Sequence, residues 1–192
     1  MAKAESTYTG WMAAGRAALA SPVLPPRLRE IIILRTAHLM DCPYELGQHI
    51  TVAAAAGLTQ QEIAALTSDS SPAAGDFTAV ERAVADLTTA LLTTRQATAG
   101  AVAEVCTALG AAATIEVLIV INRWAGPALM LNALEVDLDE TAAWRSRQPG
   151  PHHRDHALMI VLQVADGAAT QMMARAPRDK NTKPGDEGES ER

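Results

Sequence analysis

The sequence predicts an all-α protein, a bundle of seven or eight helices with no sheet. Two observations carry that expectation. Apolar residues make up 48% of the 192-residue chain but aromatics only 3%, so alanine, leucine and valine supply most of the apolar mass. Such a composition, poor in aromatics, favours closely packed helices over a β-sandwich. The apolar positions also recur at a helical period between proline, glycine and threonine punctuation.

Residues 8–20 can form a short amphipathic helix. "SPVLPPRLRE" interrupts it with three prolines, and Pro25 and Pro26 suit the loop and first turn of a second helix running to about Leu39. Ile31, Ile32, Ile33 and Leu34 make that helix apolar nearly all round, which predicts burial. A break at Met40–Asp41 precedes a third helix over about 43–56, closed by Gly57; Thr59 then caps the short helix in "TQQEIAALT". Residues 67–76 read as a loop. From Phe77, the residues Val80, Val84, Leu87 and Leu91 keep a helical period over about four turns. Further helices are expected over 99–109 and 112–134, with Pro127 predicting a kink or break in the latter.

Past Asp139 the character changes. "WRSRQPGPHHRDH" is polar and proline-broken, 157–176 is helix-like with Leu158, Val161, Leu162, Ala165 and Ala169 on one face, and 177–192 is polar enough to be disordered. The chain thus divides into an N-terminal helix and linker (1–24), a main domain (25–140), a linker with a C-terminal helix (141–176) and an acidic tail (177–192). His152, His153 and His156 have spacing that suits a metal if helical, but a solvated linker is the default reading, and no metal or cofactor is expected.

Net charge is −6, and no basic stripe or aromatic ladder points to nucleic acid. Two cysteines make no disulfide framework. The N-terminus lacks a signal-peptide core, and uninterrupted apolar runs such as those at 31–34 and 117–121 fall far short of a membrane span. A soluble cytoplasmic protein is the expectation.

Chemistry concentrates in "DCPYELGQHI", 41–50. With Cys42 at the N-cap, Pro43 falls at N1 and Glu45 at N3. The sulfur then lies at the positive end of the helix, which lowers a thiol pKa. Cys42, Glu45 and His49, spaced i, i+3 and i+7, fall within roughly 60° of one face. A Glu45 carboxylate opposes thiolate formation, a protonated His49 favours it, and the trio would titrate as a group. Glu30 precedes the apolar run of the preceding helix; a buried carboxylate there needs a partner, either His49 or an arginine such as Arg27 or Arg35. Without a reaction, Cys42, Glu45 and His49 would be a helix cap and two mutually satisfied polar groups. Tyr44 is a candidate pocket residue or a packing residue, and His38 could face the site or solvent.

The run from Leu28 to Leu66, with Glu30-x11-Cys42-x2-Glu45-x3-His49 and Gly57 beyond, resembles the core of the carboxymuconolactone decarboxylase family, which includes alkylhydroperoxidase D. The resemblance extends over about 20–138 and implies an alkylhydroperoxidase D-like helical bundle, commonly a trimer or hexamer with sites near interfaces. In the peroxidase branch a glutamate, a Cys-x-x-Cys pair and a histidine reduce hydroperoxides. Glu30, Cys42 and His49 match that pattern, while Glu45 replaces the second cysteine. In the lactone branch the pattern is Glu-Leu-x-x-His, matched by Glu45, Leu46 and His49. The leading expectation is a hydroperoxide reductase with Cys42 as nucleophile, Glu30, Glu45 and His49 as proton relay, and an external thiol reductant. Cys106 is a conceivable resolving thiol, though burial as an inert cysteine suits its apolar surroundings better. The alternative is a cofactor-free decarboxylase or isomerase of a small lactone or keto acid using Glu45 and His49, with Cys42 as a pocket wall. A non-catalytic helical oligomer is a third reading.

Overall fold

A computed structural model describes residues 2–69 and 75–135, and the described residues form seven helices and no strand. They are α1 (Ala2–Ala20), α2 (Pro26–Leu39), α3 (Pro43–Ala55), α4 (Gln60–Leu66), α5 (Ala79–Thr94), α6 (Ala99–Leu109) and α7 (Ala111–Ala133). The expected C-terminal helix, the histidine cluster, the tail and residues 70–74 of the expected loop lie outside the described residues.

Helix α2 is the axis of the bundle, packing against α3, α4, α5 and α7. Its residues from Leu28 to Ala37 are all buried, the arginines and Glu30 included, which accounts for the absence of a polar face in the sequence. The buried charges are individually satisfied. Arg29 donates to the Ala18 and Leu19 carbonyls, which the end of α1 leaves without helical donors, and to Leu24 O. Arg35 donates to Thr89 Oγ1 and to the Leu66 and Ser68 carbonyls.

Both ends of α3 are set by local backbone geometry. At the α2–α3 turn, Asp41 N donates to His38 O and Cys42 N to Ala37 O, each at 2.9 Å, with Asp41 left-handed at φ 49°. This Schellman closure turns the chain sharply and starts α3 at once, with Cys42 as N-cap and Pro43 at N1. At the far end, Gly57 N bonds Ala54 O and Leu58 N bonds Ala53 O, with Gly57 at φ 94°. Only glycine takes that conformation without strain.

Helices α4 and α5 each begin with a capping box, Thr59 with Glu62 and Thr78 with Glu81. Thr78 ends the helix start, so Phe77 lies just outside α5 as a buried residue rather than within it. Arg27 reaches both capping glutamates: its Nη2 lies 2.5 Å from Glu62 Oε1 and its Nε 2.7 Å from Glu81 Oε1. Its third contact is Gly57 O.

Helix α7 runs unbroken through Pro127, so of the expected kink or break the break does not occur. Proline deprives the Arg123 carbonyl of its helical donor, but Trp124, Pro127, Ala128 and Leu131 are all buried and hold the turn by packing. At 23 residues α7 is long and apolar enough to cross a bilayer by length and composition, a test a core helix also passes. Here it packs along α2 and α6, with Val117, Val120, Ile121 and Trp124 in the main core.

Candidate active site

Helices α2, α3 and α7 bring four side chains together under the bundle surface. Glu30 comes from the first full turn of α2, Glu45 and His49 from successive turns of α3, and Trp124 from the middle of α7. His49 is at the centre, with 4% of its side chain exposed. Its Nδ1 lies 2.8 Å from Glu30 Oε2, so the partner that Glu30 requires is His49 rather than an arginine. Its Nε2 faces two groups: Glu45 Oε2 at 3.5 Å and the indole N–H of Trp124 at 3.2 Å. The Trp124 ring meets the imidazole edge-on, with centroids 5.9 Å apart and planes at 84°.

The indole has only a donor, so its bond assigns a lone pair to Nε2 and the ring proton to Nδ1, where Glu30 accepts it. Electrostatics add a second state. Burial opposes a charged imidazole, but the Glu30 and Glu45 carboxylates outweigh it, so His49 binds its second proton more tightly than an ordinary histidine. Burial likewise pushes the Glu45 carboxyl upward, against the opposing pull of His49 and Arg123. Both groups therefore hold a proton more tightly than an ordinary glutamate or histidine does, and ionisable groups this close titrate as a pair. A group that can hold or deliver that proton without large rearrangement suits general acid–base work.

Cys42 departs from the expectation of a lowered pKa. Its backbone is an N-cap, and the Glu45 and Tyr44 N–H groups do favour its thiolate. Burial is the larger influence and raises the thiol, with the negative charges of Glu45 and Asp41 acting in the same sense. Cys42 is 1% exposed and packs with Tyr44, Ala128 and Leu131 in a small cluster of its own, with Met40 alongside. Tyr44 is thus a packing partner of Cys42, and His38 pairs with Asp69 at 3.2 Å. Cys106, half-buried on α6, is a free thiol, as is Cys42.

Sequence reasoning did not single out Trp124 or Asn132. Asn132 donates to the Met40 and Asp41 carbonyls at 2.9 and 3.2 Å, tying the end of α7 to the turn that starts α3. For Trp124 the available signal was the Asn122-Arg123-Trp124 triplet inside an otherwise apolar helix. Buried polar atoms there need partners on neighbouring helices. Among the described residues, no group of three or more histidine, cysteine or acidic side chains could hold a metal ion.

The model of the carboxymuconolactone decarboxylase family matches residues 5–90, from α1 into α5. The match includes Glu30, Cys42, Glu45 and His49 and stops short of α7, which supplies Trp124. No curated protein and no solved structure matches the chain.

Proposed function

We propose, from the match of residues 5–90 to the model of the carboxymuconolactone decarboxylase family and from the site geometry, that the protein is a cofactor-free acid–base enzyme acting on a small keto acid or lactone. The observation that carries this reading is His49, held between Glu30 at 2.8 Å and Glu45 at 3.5 Å in a buried setting. Glu30 orients the imidazole and offsets the charge it gains, while the Glu45–His49 pair takes and returns a proton. In a decarboxylation, the C–C bond electrons stay on the substrate as an enolate when CO2 leaves. A proton held by Glu45 or His49 then closes the new C–H bond, and the pair is recharged from solvent. In an isomerisation the same pair removes a proton beside a carbonyl and returns it at another carbon.

A second reading is favoured by the two backbone N–H groups that face the Cys42 sulfur. In it, the Cys42 thiolate attacks the O–O bond of a hydroperoxide, an alcohol leaves, and an external thiol reduces the resulting sulfenic acid. The raised thiol pKa makes this the weaker of the two.

Proton exchange separates them. A panel of small keto acids and lactones is incubated with enzyme in D2O and followed by proton NMR. Glu45→Gln and His49→Gln should each slow exchange or turnover by about 100-fold or more, with Cys42→Ser retaining it. Loss of activity in Cys42→Ser, with sulfenic acid formed on adding cumene hydroperoxide to wild type, would establish the thiol reading instead.

A further inference from the structure

Helix α7 turns one side to the bundle and leaves the other bare. Val117, Val120, Trp124, Ala128 and Leu131 are buried, while Ile115, Leu118, Ile119, Leu129 and Met130 stay exposed. Five large apolar side chains along one helix are more than scattered surface hydrophobics, and contiguous patches of this kind mark contact sites. The stripe also has a register. Ile115, Ile119, Asn122, Gly126, Leu129 and Ala133 follow at steps of four, three, four, three and four residues, and none of them is buried. A repeat of three and four is the seam along which one helix receives another. The seam carries no charge. Arg123, the one charged residue between positions 117 and 134, turns to α1, its guanidinium carbon 3.9 Å from the centre of the Trp11 ring.

Which helix fits this seam follows from its symmetry. Reversed end for end about Asn122, the pattern reproduces itself to within one residue. Ile115 exchanges with Leu129, Ile119 with Gly126, and Ala133 with Ala112, which is exposed as well. Large therefore meets small where it matters. Among the described residues, a Cβ built at Gly126 would meet no packing neighbour within 4 Å. Glycine there spares Pro127 a clash with a preceding Cβ, and it leaves a notch on the outer side of the helix. Asn122 meets its own copy, and an amide both donates and accepts, so two facing asparagines satisfy one another. An isologous two-fold contact demands such self-complementarity. The same asparagine argues against a lipid bilayer as the occupant, since its amide would lie at mid-helix in hydrocarbon. We propose that α7 pairs antiparallel with α7 of a second copy about a two-fold axis at Asn122, Ile119 of each filling the Gly126 notch of the other. The pair backs the helix whose buried side carries Trp124 to His49, and it holds whatever reaction that site performs.

Sedimentation equilibrium of the full-length protein tests the pairing, and disulfide trapping tests its geometry. An even-numbered assembly of the 20.2 kDa chain is expected. In a Cys106→Ser background, which removes the half-buried thiol and leaves Cys42 buried, Asn122→Cys should trap a dimer on air oxidation. Ile115→Cys alone should not, because the two copies of that position lie about 20 Å apart along the paired helices. Mixed with Leu129→Cys protein, it should. Asn122→Asp sets two carboxylates face to face and should weaken association by about tenfold or more. Position 122 is exposed, so the fold is spared; should circular dichroism show otherwise, Ile115→Glu carries the same test. A monomer at every concentration would overturn the proposal and leave the stripe to another occupant, such as segment 157–176 of the same chain. A trimer, no trapping of Asn122→Cys, ready self-trapping of Ile115→Cys, or an unchanged mass in folded Asn122→Asp protein would overturn it too.

Discussion

Trp124 decides how His49 can work. Its N–H occupies the Nε2 side of the ring at 3.2 Å, so the neutral imidazole keeps its lone pair there and its proton toward Glu30. Trp124→Phe keeps most of the ring volume and removes the donor. The expected outcome is a further upward shift of the His49 titration, because the bond that favours neutral Nε2 is gone, with a loss of about 1 kcal/mol of stability. Imidazole 15N shifts across a pH titration check the first and chemical denaturation the second. Cys42 makes the complementary case. Its thiol is buried and held up in pKa, whereas Cys106 is half-buried. Iodoacetamide near neutral pH should therefore modify Cys106 first, with Cys42 reacting on the timescale of local opening, as peptide mass spectrometry would show. Rapid alkylation at Cys42 would contradict the burial argument and strengthen the thiol reading.

At the scale of elements, Arg27 does for α4 and α5 what turn geometry does for α3. It grips Glu62 and Glu81, the N3 residues of two capping boxes, and Gly57 O besides. Three helix boundaries therefore meet at one guanidinium. Arg27→Ala leaves two carboxylates without their partner, and about 2–3 kcal/mol of destabilisation is expected. Thr59→Ala removes one half of one box and should cost about 1 kcal/mol. Urea denaturation of the two single variants and the double variant tests whether the losses are coupled; a double variant near the plain sum would show that the boxes stand independently of Arg27. The sequence shows each box through its Thr-x-x-Glu spacing but not their common cation. Arg27 precedes Glu62 and Glu81 by 35 and 54 residues, and no local pattern links them.

For the molecule as a whole, two groups of charges oppose one another in pH. The Arg27 bond leads in holding Glu62 below the usual carboxylate range, and for Glu81 burial is the largest single influence but the Arg27 and Thr78 bonds together outweigh it. Their stabilisation is present above the ordinary glutamate value of 4.5 and is lost as pH falls through the lowered folded values. Glu45 and His49 act in the other direction. Both bind protons more tightly when folded, so their contribution is full below their ordinary values of 4.5 and 6.5 and declines as pH rises toward the folded ones. Thermal melts from about pH 3 to about pH 9 should show a maximum between these limits, and His49→Gln should flatten the alkaline side specifically. A stability curve unchanged by His49→Gln would show that the pair carries no linked proton. Helix α7 also leaves Ile115, Leu118, Ile119, Leu129 and Met130 exposed. We propose that the assembly expected for this chain uses this apolar face, and Ile119→Asp should then lower the mass measured by analytical ultracentrifugation.

Much of this was legible in the chain itself. The bounds of α2, α3 and α4 follow from Pro26, Pro43, Gly57 and Thr59, residues whose backbone demands act within a few positions. The Glu45–His49 contact follows from helical spacing, and the need of Glu30 for a partner follows from the apolar run behind it. What the sequence by itself determined was therefore the helices and the polar groups that one helix face presents. Tertiary structure decided which of those groups act together. It joined Glu30 to His49 across two helices, brought Trp124 and Arg123 to them from beyond residue 120, and buried Cys42 so that desolvation prevailed over the helix N-terminus. Helix geometry fixes relations three or four residues apart, whereas burial and long-range partners depend on how whole helices pack.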